Sequence, residues 1–139
     1  MTVVADTGAV LGLIDRGDRH HRALRDLFDE ADQGWILPWA ILPEVDYLVS
    51  THVGIGAQEA FLADLADGMF HVSWGDETDL AAAADLARKY RTLRHGLVDA
   101  VVMVTAARLR ADTIVTLDVR DFGAVKIPGS PRLLPRDRY

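Results

Sequence analysis

The sequence predicts an α/β fold of three layers, α/β/α, in which a short, mainly parallel central sheet is flanked by helices. Two observations carry this. Short apolar, β-branched runs alternate with longer segments whose apolar residues recur at helical spacing, the pattern of strands joined by helical crossovers. The two strongest strand-like runs, Val3-Val4-Ala5 and Ile114-Val115-Thr116-Leu117, both lead into an aspartate, Asp6 and Asp118. Ligands of parallel sheets bind beyond the carboxyl ends of the strands. If the two runs are neighbours, their carboxylates meet on that edge.

Residues 2–5 read as a buried strand, and Asp6-Thr7-Gly8 as its end and the start of a helix. Asp18 opens a helical segment with Leu24, Leu27, Phe28 and Ala31 at helical spacing, closed by Gly34. Residues 35–38 are too short for anything but a strand. A helix over about 39–53 carries Ile41, Val45 and Leu48 on one face and ends at Gly54, and its Pro43 fits only in the first turn, where amides have no intrahelical partner. Residues 57–65 read as a helix and 69–73 as a short strand. Residues 76–90 form an amphipathic helix through Leu80, Ala83, Ala84 and Ala87, with Asp76 and Glu77 at the positive end of its dipole. Residues 97–109 are apolar nearly all round, which marks a helix buried between layers. Residues 113–117 are a strand, and 124–127 and 132–134 are short extended pieces separated by Pro128-Gly129.

A chain of 139 residues, 50% apolar and 26% charged, with no low-complexity tract, fits one domain over residues 1–139. Its opening residues carry no basic leader and no apolar run approaches the ~18 residues of a membrane span, so a soluble, cytoplasmic protein with no membrane partner is expected. The absence of cysteine excludes disulfides, thiolate zinc sites and thiol nucleophiles. A formal charge of −6 argues against holding nucleic acid by bulk attraction. Acids clustered around divalent cations would answer that objection, because the bound ion inverts the local charge.

Each candidate acid has a plainer alternative. Asp6 also reads as a helix N-cap and Asp118 as a turn residue before Val119-Arg120-Asp121. Two strand-end aspartates together favour a site, because carboxylates that close repel unless a cation is present. Asp99 lies in Leu97-Val98-Asp99-Ala100-Val101-Val102-Met103-Val104, almost without other polar side chains. A buried carboxylate there must be paired, hydrogen-bonded or metal-bound; the alternative is a helix-start acid after Gly96. Glu44 sits in a largely apolar helix with Asp46 facing away from it, and also reads as an ordinary surface charge. His20 and His21 are adjacent, His52, His71 and His95 are isolated, and no metal-ligand spacing of histidines occurs. Residues 88–95 are the densest basic stretch, with Arg132, Arg136 and Arg138 a weaker second.

On Val3-Val4-Ala5-Asp6-Thr7-Gly8 at the start, Pro43-Glu44-Val45-Asp46-Tyr47-Leu48 in the third helix, Gly96-Leu97-Val98-Asp99-Ala100 opening the buried helix and Thr116-Leu117-Asp118 ending the fourth strand, the chain resembles the PIN-domain family. Within it the resemblance is to the VapC-type toxins of type II toxin-antitoxin pairs, over nearly the whole chain. It implies a PIN-like α/β/α domain acting as an endoribonuclease dependent on Mg²⁺ or Mn²⁺, with Asp6, Glu44, Asp99 and Asp118 as catalytic acids. Of these, Asp6, Asp99 and Asp118 would bind metal, Asp6 and Asp99 first, while Asp118 and Glu44 would act through water or position and deprotonate the attacking water. Thr7 looks like the small hydroxyl residue following the first acid, and Thr116 like the one that orients the last. Asp121 resembles a further feature near the site, with a cap or turn as an equal alternative. Pro43 directly before Glu44 departs from the pattern.

Beside such a centre Lys89, Arg91 and Arg94 would hold an RNA backbone, the alternative being a solvated helix end. The resemblance further implies a homodimer and a VapB-type antitoxin whose Arg meets the acids. Residues around Trp35, Trp39, Leu42 and Tyr47 would receive its helix or else pack in the core. A phosphohydrolase of the haloacid dehalogenase type would want an Asp where Gly8 stands. A phospho-receiver would need a strand-end Lys, whereas lysines occur only at 89 and 126. A non-catalytic PIN-like RNA-binding or assembly module would favour loss of an acid, and Asp6, Glu44, Asp99 and Asp118 are all present.

Overall fold

The computed structural model describes residues 1–94 and 96–138, so the histidine at 95 lies outside the described residues. Its centre is a five-stranded sheet of order β3-β2-β1-β4-β5, every pairing parallel. The strands are β1 (Val3–Ala5), β2 (Ile36–Pro38), β3 (His71–Ser73), β4 (Thr113–Val115) and β5 (Arg132–Leu134). The helices are α1 (Thr7–Ile14), α2 (His21–Glu30), α3 (Leu42–His52), α4 (Ile55–Ala66), α5 (Glu77–Lys89), α6 (Leu97–Arg108) and α7 (Val119–Ala124). The chain steps outward from β1 through β2 to β3, then returns to lay β4 on the other side of β1 and β5 beyond it. The order therefore reverses between β1 and β4, where open α/β sheets place their ligands.

Burial follows from the runs the sequence offers. β1 and β4 are buried along their whole lengths, as strands covered on both faces must be, which is why they are continuous β-branched runs rather than alternating ones. Helix α6 is buried continuously from Ala100 to Ala106, so it has no polar face to show. The α2 side of the core is aromatic. Phe28 meets Trp35 edge-on at 5.4 Å between ring centroids and Phe70 at 5.5 Å, and Phe70 continues to Phe61 at 6.1 Å.

β3 and β4 are shorter than the sequence reading has them, with β4 ending at Val115, and the elements differ in three further places. α2 begins at His21 rather than at Asp18, because Asp18 closes a turn, its side chain accepting from the His20 amide at 2.7 Å and its carbonyl from the His21 amide at 3.0 Å. Residues 39–53 are a 3₁₀ turn, Trp39–Ile41, followed by α3, which puts Pro43 in the first α-helical turn. The turn expected at Val119 and the extended piece expected at 124–127 are replaced by helix α7 and an irregular segment outside the sheet. Asp118 caps α7 by accepting from the Asp121 amide at 3.2 Å, and buried Phe122 anchors it. A six-residue helix is too short to show a period in sequence.

Candidate active site

The first acid is placed by the end of β1 and the start of α1. The Asp6 amide donates to the Val115 carbonyl at 3.1 Å, extending the β1–β4 ladder by one residue. Its side chain is an N-cap, as the alternative reading had it: Oδ1 accepts from the Ala9 amide at 2.9 Å. Capping and site membership turn out to be compatible, because the other oxygen, Oδ2, accepts a short hydrogen bond from the Thr116 hydroxyl. That hydroxyl also accepts from the Asp118 amide at 3.0 Å. Thr116 is fully buried, and a single Oγ1 thus ties the aspartate at the end of β1 to the backbone of the one after β4.

Asp6 is 5% exposed, and burial pushes its carboxyl up from 3.8 to about 6. The hydrogen bonds from Thr116 and the Ala9 amide pull it down, and the charges of Asp99 and Asp118 raise it again. The last effect reflects the nearness of these two carboxylates to Asp6. Asp99 enters it from the first turn of α6, Asp118 from the cap of α7 and Asp121 from the first turn of α7. Asp99, Asp118 and Asp121 each offer a carboxylate oxygen within 4.8 Å of the others. Asp118 is exposed and Asp99 and Asp121 are half-buried, and a cation between them would relieve their mutual repulsion. An all-oxygen donor set suits the hard ions Mg²⁺ and Mn²⁺. The buried Thr7 hydroxyl, next to Asp6, has no hydrogen-bond partner.

Glu44 occupies the first turn of α3, which follows β2 through the 3₁₀ turn, so it stands on the same edge of the sheet. It is exposed and outside the group of three. Asp46 is used elsewhere, accepting from Gln58 Nε2 at 2.8 Å and joining α3 to α4. Asp121, read only as supporting, is the acid that completes a group of three with Asp99 and Asp118 among the described residues. Its signal was its spacing of three from Asp118, legible only once α7 is known to be a helix.

The basic residues lie just ahead of α6. Lys89, Arg91 and Arg94 are exposed, and the Lys89 ammonium sits 5.5 Å from the Tyr90 ring centroid. The Tyr90 hydroxyl accepts from the Lys126 amide at 3.2 Å, fixing this segment to the chain that leaves α7. Of the aromatic group considered as a docking surface, Trp35 is core at 0% exposure, Trp39 and Leu42 are half-buried, and Tyr47 is exposed.

Comparison with known proteins fits this geometry. The chain is 34% identical over 130 residues to Ribonuclease VapC26 of Mycobacterium tuberculosis strain H37Rv, an alignment covering 94% of this chain and 96% of that protein. Its fold is similar to the crystal structure of Mycobacterium tuberculosis VapC20, described as a sarcin-ricin loop cleaving toxin, with a TM-score of 0.80 at 17% identity over 88% of this chain and 95% of that one. It is also similar to a chain of the DNA-bound VapBC complex of Salmonella typhimurium, with a TM-score of 0.71 at 18% identity over 96% of both chains. The PIN domain family model matches residues 3–127, and with the four-acid pattern and the parallel sheet around it, the chain belongs to the PIN domain family.

Proposed function

We propose that the protein is a metal-dependent endoribonuclease that hydrolyses RNA phosphodiester bonds and acts, in the cytoplasm, as the toxin of a toxin-antitoxin pair. The observation that carries the reading is the convergence of Asp99, Asp118 and Asp121 within 4.8 Å at the reversal of strand order, beside a buried Asp6 that feels the charges of Asp99 and Asp118. The similarity to Ribonuclease VapC26 supports RNA as the substrate. Relatives solved as VapBC complexes support a VapB-type antitoxin as partner.

In this reading Asp6, Asp99, Asp118 and Asp121 would hold Mg²⁺ or Mn²⁺. The bound ion supplies Lewis-acid chemistry, neutralising charge on the phosphoryl oxygens and making water a better nucleophile near neutral pH. The protein's own residues do the rest. Thr116 and the Ala9 amide hold the Asp6 carboxylate in one orientation, so no reorganisation is needed when substrate arrives. Glu44, on the same edge and exposed, positions the attacking water and accepts its proton. Lys89, Arg91 and Arg94 hold the RNA backbone and offset the formal charge of −6. A guanidinium from the antitoxin would neutralise the acids and bind them bidentately. The protein acts as a homodimer.

The test is cleavage of a labelled RNA in Mg²⁺ or Mn²⁺ by the wild type, by Asp99→Asn and by Asp6→Asn, each checked for folding by circular dichroism. Cleavage is expected in the wild type alone and is expected to vanish in excess chelator. Undiminished cleavage in chelator, or by either folded variant, would overturn the reading.

A further inference from the structure

Trp74 is 74% exposed, whereas Trp35 is completely buried. The place of Trp74 in the fold sets it apart from the other exposed hydrophobic side chains. Val4 of β1 pairs with Ile36 of β2, and β2 pairs with β3 through Ile36 with His71 and Pro38 with Ser73. Counting forward, Asp6 stands level with Pro38 and Ser73, and Trp74 projects one residue beyond them. Two strand spacings separate β3 from β1, so Trp74 stands roughly 10 Å across the sheet from Asp6, on the same carboxyl edge. That is about three nucleotides of stacked single strand.

Trp74 is also held firmly. On one side of it, Ser73 Oγ accepts from Arg108 Nη2 at 3.1 Å. On the other, the Asp76 amide donates to Asp79 Oδ2 at 3.0 Å, and Asp79 is fixed in turn by Arg108 Nε at 3.1 Å. Between these anchors Gly75 turns with φ +81°, and a Cβ there would meet the Trp39 indole Nε1 at 3.0 Å and Asp79 Oδ2 at 3.1 Å. The backbone carrying Trp74 is therefore clamped at both ends and packed against Trp39. An exposed aromatic ring carried on a fixed backbone suits a stacking platform, because the chain beneath it has little left to order on binding. Its neighbours Asp76 and Glu77 are exposed acids that repel phosphate, so the part of a nucleic acid that suits this spot is a base.

We propose that Trp74 is a base-stacking residue that receives an unpaired nucleobase of single-stranded or loop RNA near the bond to be cut. This rests on the ribonuclease reading and adds to it a residue that holds the substrate, since a base in a duplex has no free face to offer to the ring.

The experiment uses the full chain carrying Asp99→Asn, which keeps RNA intact, titrated with a single-stranded oligoribonucleotide and with a duplex of the same sequence. Tryptophan emission is followed, and binding is measured at several salt concentrations. The single strand is expected to quench emission and the duplex to do so far less. Adding Trp74→Ala should remove the quench and weaken single-strand binding about tenfold, and Trp74→Phe should recover most of the affinity. The salt dependence should stay unchanged, because stacking releases no counterions. In the cleavage-competent chain, Trp74→Ala should raise KM for unpaired RNA more than it lowers kcat. A Trp74→Ala protein that binds and cleaves as the wild type does would overturn the proposal while leaving the ribonuclease reading intact. So would a change in oligomeric state or antitoxin binding with RNA affinity unaltered, which would make Trp74 a protein contact. A wild type that cleaves no RNA is the separate failure of the ribonuclease reading.

Discussion

Asp6 shows how one residue can serve the fold and the site at a cost that a metal ion would remove. Its carboxyl is raised to about 6 in the folded chain against an ordinary 3.8. Between those values the folded state keeps a proton that the unfolded state has lost. Stability of the metal-free protein therefore falls as pH rises through that window, by roughly 3 kcal/mol for this group. Urea denaturation in chelator from pH 4 to 7 should show the decline, and Asp6→Asn should flatten it relative to the wild type. An equal slope in both proteins would show that Asp6 is not its source. Protons and metal compete for this carboxylate, so apparent affinity for Mn²⁺ should weaken below about pH 6.

The same residue marks what single-residue reasoning reveals. Asp99 stood out for its apolar surroundings, which suggested a buried carboxylate, yet it is half-buried in the first turn of α6. Asp6 directly follows β1 as its run suggested, whereas Asp118 stands three residues beyond the end of β4. Thr116 gave no such sign, since a threonine in a β-branched run reads as strand filler. Its link between Asp6 and Asp118 exists only through a pairing of residues far apart in the chain.

At the scale of elements, the long periodic helices and the buried strands were legible, because their burial repeats over several residues. The short pieces were not. α7 carries six residues and one buried anchor, too little to outweigh the local turn signals, yet it brings Asp121 to the site. Helix α5 depends on a device that sequence hints at and structure completes. Asp76 and Asp79 form a reciprocal capping box, and Asp79, with a side chain 4% exposed, also pairs with Arg108 of α6. Asp79→Ala removes half of the box and leaves Arg108 without its carboxylate. A loss of about 2 kcal/mol is expected, with Arg108 discounted for its partial exposure. Thermal unfolding should move down by several degrees; an unchanged midpoint would mean that the α5–α6 junction does not depend on this pair.

For the whole molecule, four acids from three elements lie where the sheet changes direction, and the burial of Asp6 together with their mutual repulsion opposes the fold there. A ligand that binds the folded state alone raises stability, by about 2.7 kcal/mol at a hundredfold excess over its Kd. Mn²⁺ should therefore raise the unfolding temperature of the wild type measurably and that of Asp99→Asn much less. An equal rise in both would place the ion elsewhere. The topology itself was legible from the alternation of elements, but the order of strands was not, since hydrophobic pattern says which runs are buried and not which lie side by side.

The pairing of Val3 with Thr113, beside which Asp6 and Asp118 lie, joins segments far apart in the chain. A chain still emerging from the ribosome already carries Asp6 and Glu44 but lacks Asp118 and Asp121 until β4 and α7 have been translated. A segment that stops short of β4 therefore holds Asp6 without the paired strand and the Thr116 hydroxyl that fix it.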